Sequence, residues 1–291
     1  MYGRSVTINI DPIEKKPLFH FLPGSSALSL GTYGCNFKCL NCLNYDISQP
    51  NDLEKQSIML SYVLPEEIME MAQKNHCASI AYTYNEPTVF AEYALDIMKL
   101  AKEQGIKNVW VSNGYWSDIC FQKIAPYLDA VNVDLKSFND DFYVKNCQAQ
   151  VEPVLDNLKK IKVAKVHLEI TTLIIPSLTD DLKMLGALAD FIKNELGATT
   201  PWHLSKFSPE ISWRLKDLPA TALKTLNQIY RMAKDKGLSY VYLGNINEEG
   251  KENTYCQKCG ALVIERNYYQ IGRKDKNGVC PKCGEKILGV L

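Results

Sequence analysis

The chain has 291 residues, of which 46% are hydrophobic and 23% charged, as in an ordinary globular protein with one large domain and a small appendage. Basic and acidic residues number 33 each, so the formal net charge is zero. This balance argues against a nucleic-acid partner held by bulk electrostatics. No apolar run approaches the roughly 20 residues that span a bilayer, and residues 1–4 lack a signal-peptide core. We therefore expect a cytoplasmic protein without membrane contact.

Short apolar or β-branched segments alternate with amphipathic segments of helical period along most of the chain. The predicted strands are 27–32, 79–84, 109–112, 130–135, 166–175, 203–207 and 240–243. The predicted helices are 65–75, 89–104, 119–127, 154–163, 181–195 and 220–236.

Repeated strand–helix units predict a parallel sheet with helices outside it. The pattern fits either an incomplete barrel or a doubly wound sheet, and both bind ligands at the carboxyl ends of the strands. A charged linker at 248–253 precedes a small cysteine-rich module. We predict three parts: an N-terminal extension (1–20), a core domain (21–247) and a C-terminal module (248–291).

Three closely spaced cysteines, Cys35, Cys39 and Cys42, follow the first predicted strand directly after Gly34. Thiolates hold iron–sulfur clusters, usually four per cubane. Three ligands leave one iron open, which a catalytic metal site needs. The amino and carboxylate groups of a methionine moiety can chelate that iron. The alternatives are a structural zinc site, which usually needs four ligands, or a loop of unrelated cysteines.

A second set of cysteines forms two Cys-x-x-Cys-Gly knuckles separated by twenty residues. Four thiolates in two such knuckles are typical of a structural zinc ribbon. Rubredoxin-like iron and an auxiliary iron–sulfur cluster are the alternatives. The predicted ligands are Cys256, Cys259, Cys280 and Cys283. A basic-aromatic partner face or a solvated hairpin is predicted from Arg266, Tyr268, Tyr269, Arg273 and Lys274. The isolated cysteines, predicted to be core residues, are Cys77, Cys120 and Cys147.

The Cys-x-x-x-Cys-x-x-Cys motif after the first strand resembles the signature of the radical S-adenosylmethionine (SAM) superfamily. Segments 11–18, 20–25, 84–88 and 201–203, with the closing zinc module, resemble the AmmeMemoRadiSam-system radical SAM proteins. That family is related to the pyruvate formate-lyase activating enzymes. The resemblance covers nearly the whole chain and implies an α/β fold, a partial (β/α)6 TIM-like barrel with a small C-terminal zinc ribbon. The implied cofactors are a 4Fe-4S cluster, SAM and zinc.

The resemblance implies SAM contacts at the ends of the predicted strands. Asn85-Glu86-Pro87 stands where other superfamily members have Gly-Gly-Glu-Pro, which receives the methionine ammonium. The Glu86 carboxylate suits that cation, although an acidic residue here also suits a helix N-cap. Ser112 and Asn113 are implied to lie beside the methionine carboxylate or ribose, with a plain turn as the alternative.

Further SAM contacts are implied on later strands. Asp134 and Lys136 share one strand face and resemble an Asp-x-Lys near the nucleoside in the activases; a salt bridge is the alternative. His203 resembles a histidine near SAM, although a lone histidine is often a core residue. Glu169 interrupts an apolar strand, which suits either a SAM site or an ion-pair network. Asn41 stands where an aromatic residue usually helps to seat the adenine, so its backbone is the implied contact.

Three functions are consistent with these observations. The favoured one is a radical SAM enzyme that modifies a small molecule or a protein side chain within an AmmeMemoRadiSam pathway. The second is a glycyl-radical-enzyme activase. The third is a non-catalytic metal-binding adaptor with a zinc ribbon, which would not cleave SAM. The implied partners are an external electron donor of flavodoxin or ferredoxin type, and a protein substrate or other AmmeMemoRadiSam-system proteins.

Overall fold

A computed structural model describes residues 1–246, 248–287 and 289, and of Ser57 only the backbone. Its main element is an eight-stranded sheet whose spatial order follows the chain order. Each of the seven predicted strands lies in this sheet, and one strand at the start of the chain was not predicted. The strands are β1 (Thr7–Pro12), β2 (Ser26–Gly31), β3 (Ser79–Tyr82), β4 (Lys107–Ser112), β5 (Ala130–Asp134), β6 (His167–Ile174), β7 (Trp202–Lys206) and β8 (Val241–Gly244).

Strands β2 to β8 are parallel, and β1 pairs antiparallel with β2. A doubly wound sheet reverses its strand order part-way, whereas this order never reverses. Right-handed crossovers that always step the same way place the helices on one face. The predicted α/β partial barrel is therefore confirmed, and the doubly wound alternative is wrong.

Each of the six predicted helices is present, and among the described residues three short α-helices were not predicted. The α-helices are α1 (Tyr45–Ser48), α2 (Leu53–Ile58), α3 (Pro65–Lys74), α4 (Ala91–Glu103), α5 (Asp118–Ile124), α6 (Asp140–Phe142), α7 (Glu152–Val163), α8 (Leu182–Phe191) and α9 (Leu223–Asp235). The 3₁₀-helices are Ile13–Lys15, Pro87–Phe90, Ala125–Tyr127 and Pro209–Ile211, and the π-helices are Tyr143–Cys147 and Ile192–Gly197. In the part of the chain described, no helix is long and apolar enough to cross a membrane.

The inner face of the sheet is closed at one end by the N-terminal segment. Small side chains on β2, β3 and β5, alanine in each case, leave room for three larger ones. The larger side chains, all at most 6% exposed, are Ile13, Leu18 and Phe21. Burying each contributes about 1.5–3 kcal/mol. The neighbouring residues Phe19 and His20 lie against β6 and β8, where they contact Glu169 and Tyr242.

The cysteine-rich module forms a separate three-stranded sheet of β9 (Thr254–Tyr255), β10 (Leu262–Asn267) and β11 (Gln270–Arg273). It lies against the N-terminal segment, where a Cβ on Gly24 would come within 3.4 Å of Ile271. The boundaries predicted at residues 20 and 247 stay predictions, and Asn247 lies outside the described residues.

Candidate active site

A cavity of about 1060 Å³ lies at the carboxyl ends of the parallel strands. Ligand pockets commonly measure about 300–1,000 Å³, so this one has room for more than one small molecule. All the predicted cluster ligands line it, and so do eight of the nine predicted SAM contacts. These lining residues are Cys35, Cys39, Cys42, Asn41, Asn85, Glu86, Ser112, Asn113, Asp134, Lys136 and His203.

The first side of the cysteine loop is held by Asn85. Its amide donates to the carbonyl of Gly34 at 2.7 Å and accepts from the Thr32 amide at 3.2 Å. Gly34 has a φ of +94°, a region that favours glycine. The Phe37 amide then donates to Cys35 Sγ at 3.4 Å. Asn85 therefore sets where the chain leaves β2 and enters the loop.

The second side of the loop rests on the π-helix Tyr143–Cys147. The Lys38 amide donates to the Cys147 carbonyl at 3.0 Å, and the Leu40 amide to the Asn146 carbonyl at 2.9 Å. The Asn146 side chain donates to Asn41 Oδ1 at 2.8 Å. The side-chain oxygen of Asn41 is thus engaged by the protein.

The three loop cysteines all line the cavity. Their three sulfurs do not all lie within 4.8 Å of one another. Among the described residues, the four cysteines of the C-terminal module do. Burial, and then the charge of Glu86, raise the pKa of Cys35 to about 12. Burial also raises the pKa of Cys42. Iron must therefore displace thiol protons when it binds here.

Glu86 lies at the junction of two strand ends and is 2% exposed. Its carboxylate accepts from the Thr88 hydroxyl at 2.6 Å, the Ser112 hydroxyl at 2.8 Å and the Asn113 amide at 2.8 Å. Burial raises its pKa, and these hydrogen bonds oppose that shift. Glu86 also caps the 3₁₀-helix through the Thr88 amide. It therefore holds the end of β4 beside the end of β3, whatever else it contacts.

Asp134 and Lys136 form an ion pair of 3.1 Å at the end of β5. The lysine side chain is 16% exposed and the aspartate 41%. Burial lowers the pKa of Lys136, but Asp134 and the nearby thiols outweigh it and raise the pKa well above its usual value. The pair places both charges at the cavity wall, as the predicted shared strand face requires.

Glu169 lies beneath the cavity and is fully buried. It accepts from the amides of Phe19 and His20 at 3.0 and 2.7 Å. It also accepts from Nε2 of His167 at 2.9 Å and of His203 at 2.7 Å. Burial would raise its pKa, but the two histidines hold the pKa well below its usual value. Glu169 is not a cavity-lining residue, so its predicted contact with SAM stays a prediction, and its observed contact is with His203.

The four cysteines of the C-terminal module converge on one point. Their sulfurs lie within 4.8 Å of one another, and the Cys256–Cys283 and Cys259–Cys280 pairs are each 3.6 Å apart. Tetrahedral zinc with Zn–S bonds of about 2.3 Å places its sulfurs about 3.8 Å apart. The geometry therefore suits a tetrahedral metal ion.

The comparison with protein families decides between the remaining classes. Residues 29–189, more than half of the chain, match the radical SAM superfamily model. The chain belongs to the radical SAM superfamily. The matched region contains the cysteine loop and the ends of β2 to β6. A non-catalytic adaptor is therefore no longer the competing class, because superfamily members are enzymes.

Two curated relatives and one solved structure place this radical SAM protein more closely. It is 43% identical to the uncharacterized protein MJ0808 of Methanocaldococcus jannaschii over all of this chain and 86% of that one. It is 24% identical to the pyruvate formate-lyase-activating enzyme of Clostridium pasteurianum, over 69% of this chain and 87% of that one. The crystal structure of Streptococcus suis SuiB bound to precursor peptide SuiA superposes with a TM-score of 0.58 at 14% identity, covering 81% of this chain and 52% of that one. The last similarity concerns the fold alone.

The radical SAM family implies a 4Fe-4S cluster and SAM, and the residues present fit both. Three thiols on one loop, spread more widely than a single ion needs, suit a cubane with an open iron. The adjoining wall carries the carboxylate, hydroxyl and amide groups that a methionine moiety and a ribose can bind.

Sequence reasoning missed two features of this radical SAM site. Cys147, predicted to be an isolated core residue, is fully buried but packs against the cysteine loop, and its thiol is the main cause of the raised pKa of Cys39. Tyr268 and Tyr269, at the tip of the β10–β11 hairpin, line the cavity. Tyr268 has a φ of +54°, unusual for a bulky residue. The sequence offered one signal of this placement: two-residue hairpin turns favour Asn-Gly, so two tyrosines at the turn are unusual.

We predict that the C-terminal centre binds one zinc ion per chain. Cys283→Ser should lower zinc to well under one equivalent, because a tetrahedral structural site needs all four thiolates. Metal analysis of purified protein measures this. Cys120→Ser, at a cysteine remote from the ribbon, is the matched control and should keep its zinc. If the wild type has an iron absorption spectrum that Cys283→Ser loses, the metal at this centre is iron and not zinc.

Proposed function

We propose that this protein cleaves SAM reductively at a 4Fe-4S cluster held by Cys35, Cys39 and Cys42, and removes hydrogen from a small-molecule or protein substrate. One observation carries the proposal: the cysteine loop and the polar ends of β3, β4, β5 and β7 open onto the same cavity. A cluster and its ligand share one enclosed space in such an arrangement.

When bound, the cluster supplies one electron to SAM, which yields methionine and a 5′-deoxyadenosyl radical that takes hydrogen from the substrate. The protein binds and orients the reactants, since the cofactors carry the difficult step. We assign Glu86 and Asn85 to the methionine ammonium, and Ser112 and Asn113 to its carboxylate or the ribose. A buried carboxylate suits an ammonium because charge-assisted hydrogen bonds are strong.

We assign the nucleoside half of SAM to the polar residues at the other strand ends and in the cysteine loop. Asp134 and Lys136 are assigned to the nucleoside side, where their charges can meet both a hydroxyl and a substrate group. The Asn41 backbone is assigned to the adenine, as the superfamily resemblance implies, while its side-chain oxygen accepts from Asn146. His203 closes the wall with Nε2 on Glu169, and Nδ1 is the ring nitrogen left for a ligand.

Two substrate classes follow from the cavity and from the relatives. We favour a small molecule or a protein side chain modified within an AmmeMemoRadiSam pathway, because the ribbon tyrosines line a cavity larger than one ligand needs. The similarity to a pyruvate formate-lyase-activating enzyme supports a second candidate, a glycyl-radical activase with a protein substrate. Both need an external donor of flavodoxin or ferredoxin type.

Isotope transfer tests this function and identifies the hydrogen donor. Anaerobically reconstituted protein, dithionite and SAM should yield 5′-deoxyadenosine and methionine in equal amounts. With extract from deuterium-grown cells, deuterium should enter the 5′-deoxyadenosine, and fractionation of the extract should follow the donor. Mass spectrometry measures both products. A fully reconstituted protein that forms no 5′-deoxyadenosine would contradict the proposal.

A further inference from the structure

We propose that Arg266 of the ribbon is a positioning residue for His203, acting through Phe19 and Glu169. Through Arg266 the ribbon would then set the shape of the cavity wall in the core domain. The inference rests on the proposed function only where it makes His203 a SAM contact.

Arg266 was predicted to join an exposed basic face, and the structure corrects this: the residue is 7% exposed. Its guanidinium donates to the Phe19 carbonyl at 2.6 Å, the Glu252 carbonyl at 3.0 Å and the Thr254 hydroxyl at 2.8 Å. The guanidinium also lies 4.3 Å from the Phe19 ring centroid. Burial lowers its pKa. Burying a charged guanidinium costs free energy unless its N–H groups are hydrogen-bonded, so these contacts hold Arg266 in one position.

Phe19 connects Arg266 to the histidine in two ways. Its amide donates to Glu169 Oε2, the oxygen that also accepts from His203 Nε2. Its ring packs edge-on against the His203 ring, with centroids 4.7 Å apart and an interplanar angle of 90°. A shift of the Phe19 backbone therefore moves both the hydrogen-bond acceptor and the packing partner of His203.

Tyr242 of β8 gives a second route between the ribbon and the same histidine. Its hydroxyl pairs with Thr254 Oγ1 at 2.9 Å, and Thr254 also accepts from Arg266. Its ring stacks on the His203 ring with centroids 5.2 Å apart. Arg266 is thus connected to His203 by two chains of contacts, one through the N-terminal segment and one through β8. These two segments are far apart in the sequence.

The chain has four histidines, so histidine side-chain NMR reports His203 directly. We would record ¹⁵N-histidine spectra of zinc-loaded protein without the iron–sulfur cluster, with His203→Gln for assignment. Arg266→Met should shift the His203 ring signals and leave those of exposed His76 in place. Arg273→Met, the same change on the same ribbon but at a residue paired with Asp275, should shift neither.

Unchanged His203 signals in folded, zinc-loaded Arg266→Met would overturn the inference, because a merely structural brace alters stability alone. If Arg266→Met does not fold, Arg266→Lys decides: it keeps the charge but loses the planar fork, and its His203 signals must shift. Reconstituted Arg266→Met should cleave SAM more slowly, by up to about 100-fold, which is what a misplacement of about 1 Å can cost. Shifted His203 signals with unchanged SAM cleavage would support the positioning role and contradict the proposed SAM contact instead.

Discussion

Cys39→Ala should abolish reductive cleavage of SAM. It should also lower bound iron from about four atoms per chain to well under one, because a cubane held by two thiolates is not retained. Cys39 is the most buried of the three loop cysteines, at 8% exposure. Iron analysis, visible absorption and 5′-deoxyadenosine formation measure the effect. Zinc should stay near one per chain, since the ribbon cysteines form a separate group.

The matched control is Cys77→Ala, which removes an equally small, 5% exposed thiol in the segment before β3. It should keep iron and SAM cleavage. Continued 5′-deoxyadenosine formation by the triple alanine variant of Cys35, Cys39 and Cys42 would refute the assignment of the cluster.

Glu169→Gln should lower the free energy of unfolding by about 1–3 kcal/mol, the cost of leaving a buried hydrogen-bond donor without its acceptor. The carboxylate accepts four N–H donors, two from the backbone and two from histidines. Glutamine offers one oxygen and sets an NH₂ group against the other donors. Urea denaturation at pH 7 measures the loss.

The effect has a defined pH dependence. Because the folded pKa of Glu169 is depressed, its contribution is present above the unfolded value of about 4.3 and is lost as pH falls through the folded pKa. The variant and the wild type should therefore differ most above about pH 4.3 and converge at lower pH. Glu195→Gln, at an exposed residue whose ion pair is 3.8 Å long, should change stability by less than about 0.5 kcal/mol. A wild-type denaturation midpoint for Glu169→Gln would show that the carboxylate is not the anchor.

Features with a local cause were readable from the sequence. Strand and helix positions follow hydrophobic period, and β2 to β8 lie where that period predicts. The π-helix Ile192–Gly197 instead replaces the end of one predicted α-helix. Strand β1 was not predicted: Thr7–Pro12 is an edge strand that ends at a proline and has one buried residue, so it lacks the apolar pattern of the inner strands, and its pairing with β2 defines it.

The sequence by itself determined the superfamily and predicted the cluster cysteines and the ribbon cysteines, because each is a short motif whose spacing carries its chemistry. The polar strand ends were predictable for the same reason: parallel strands bring their carboxyl ends together. Only the tertiary structure decided that Glu169 anchors His203 rather than lining the cavity, and that Arg266 turns inward. Phe19 meets Glu169 across 150 positions and Arg266 across 247, and no local pattern encodes contacts of that range.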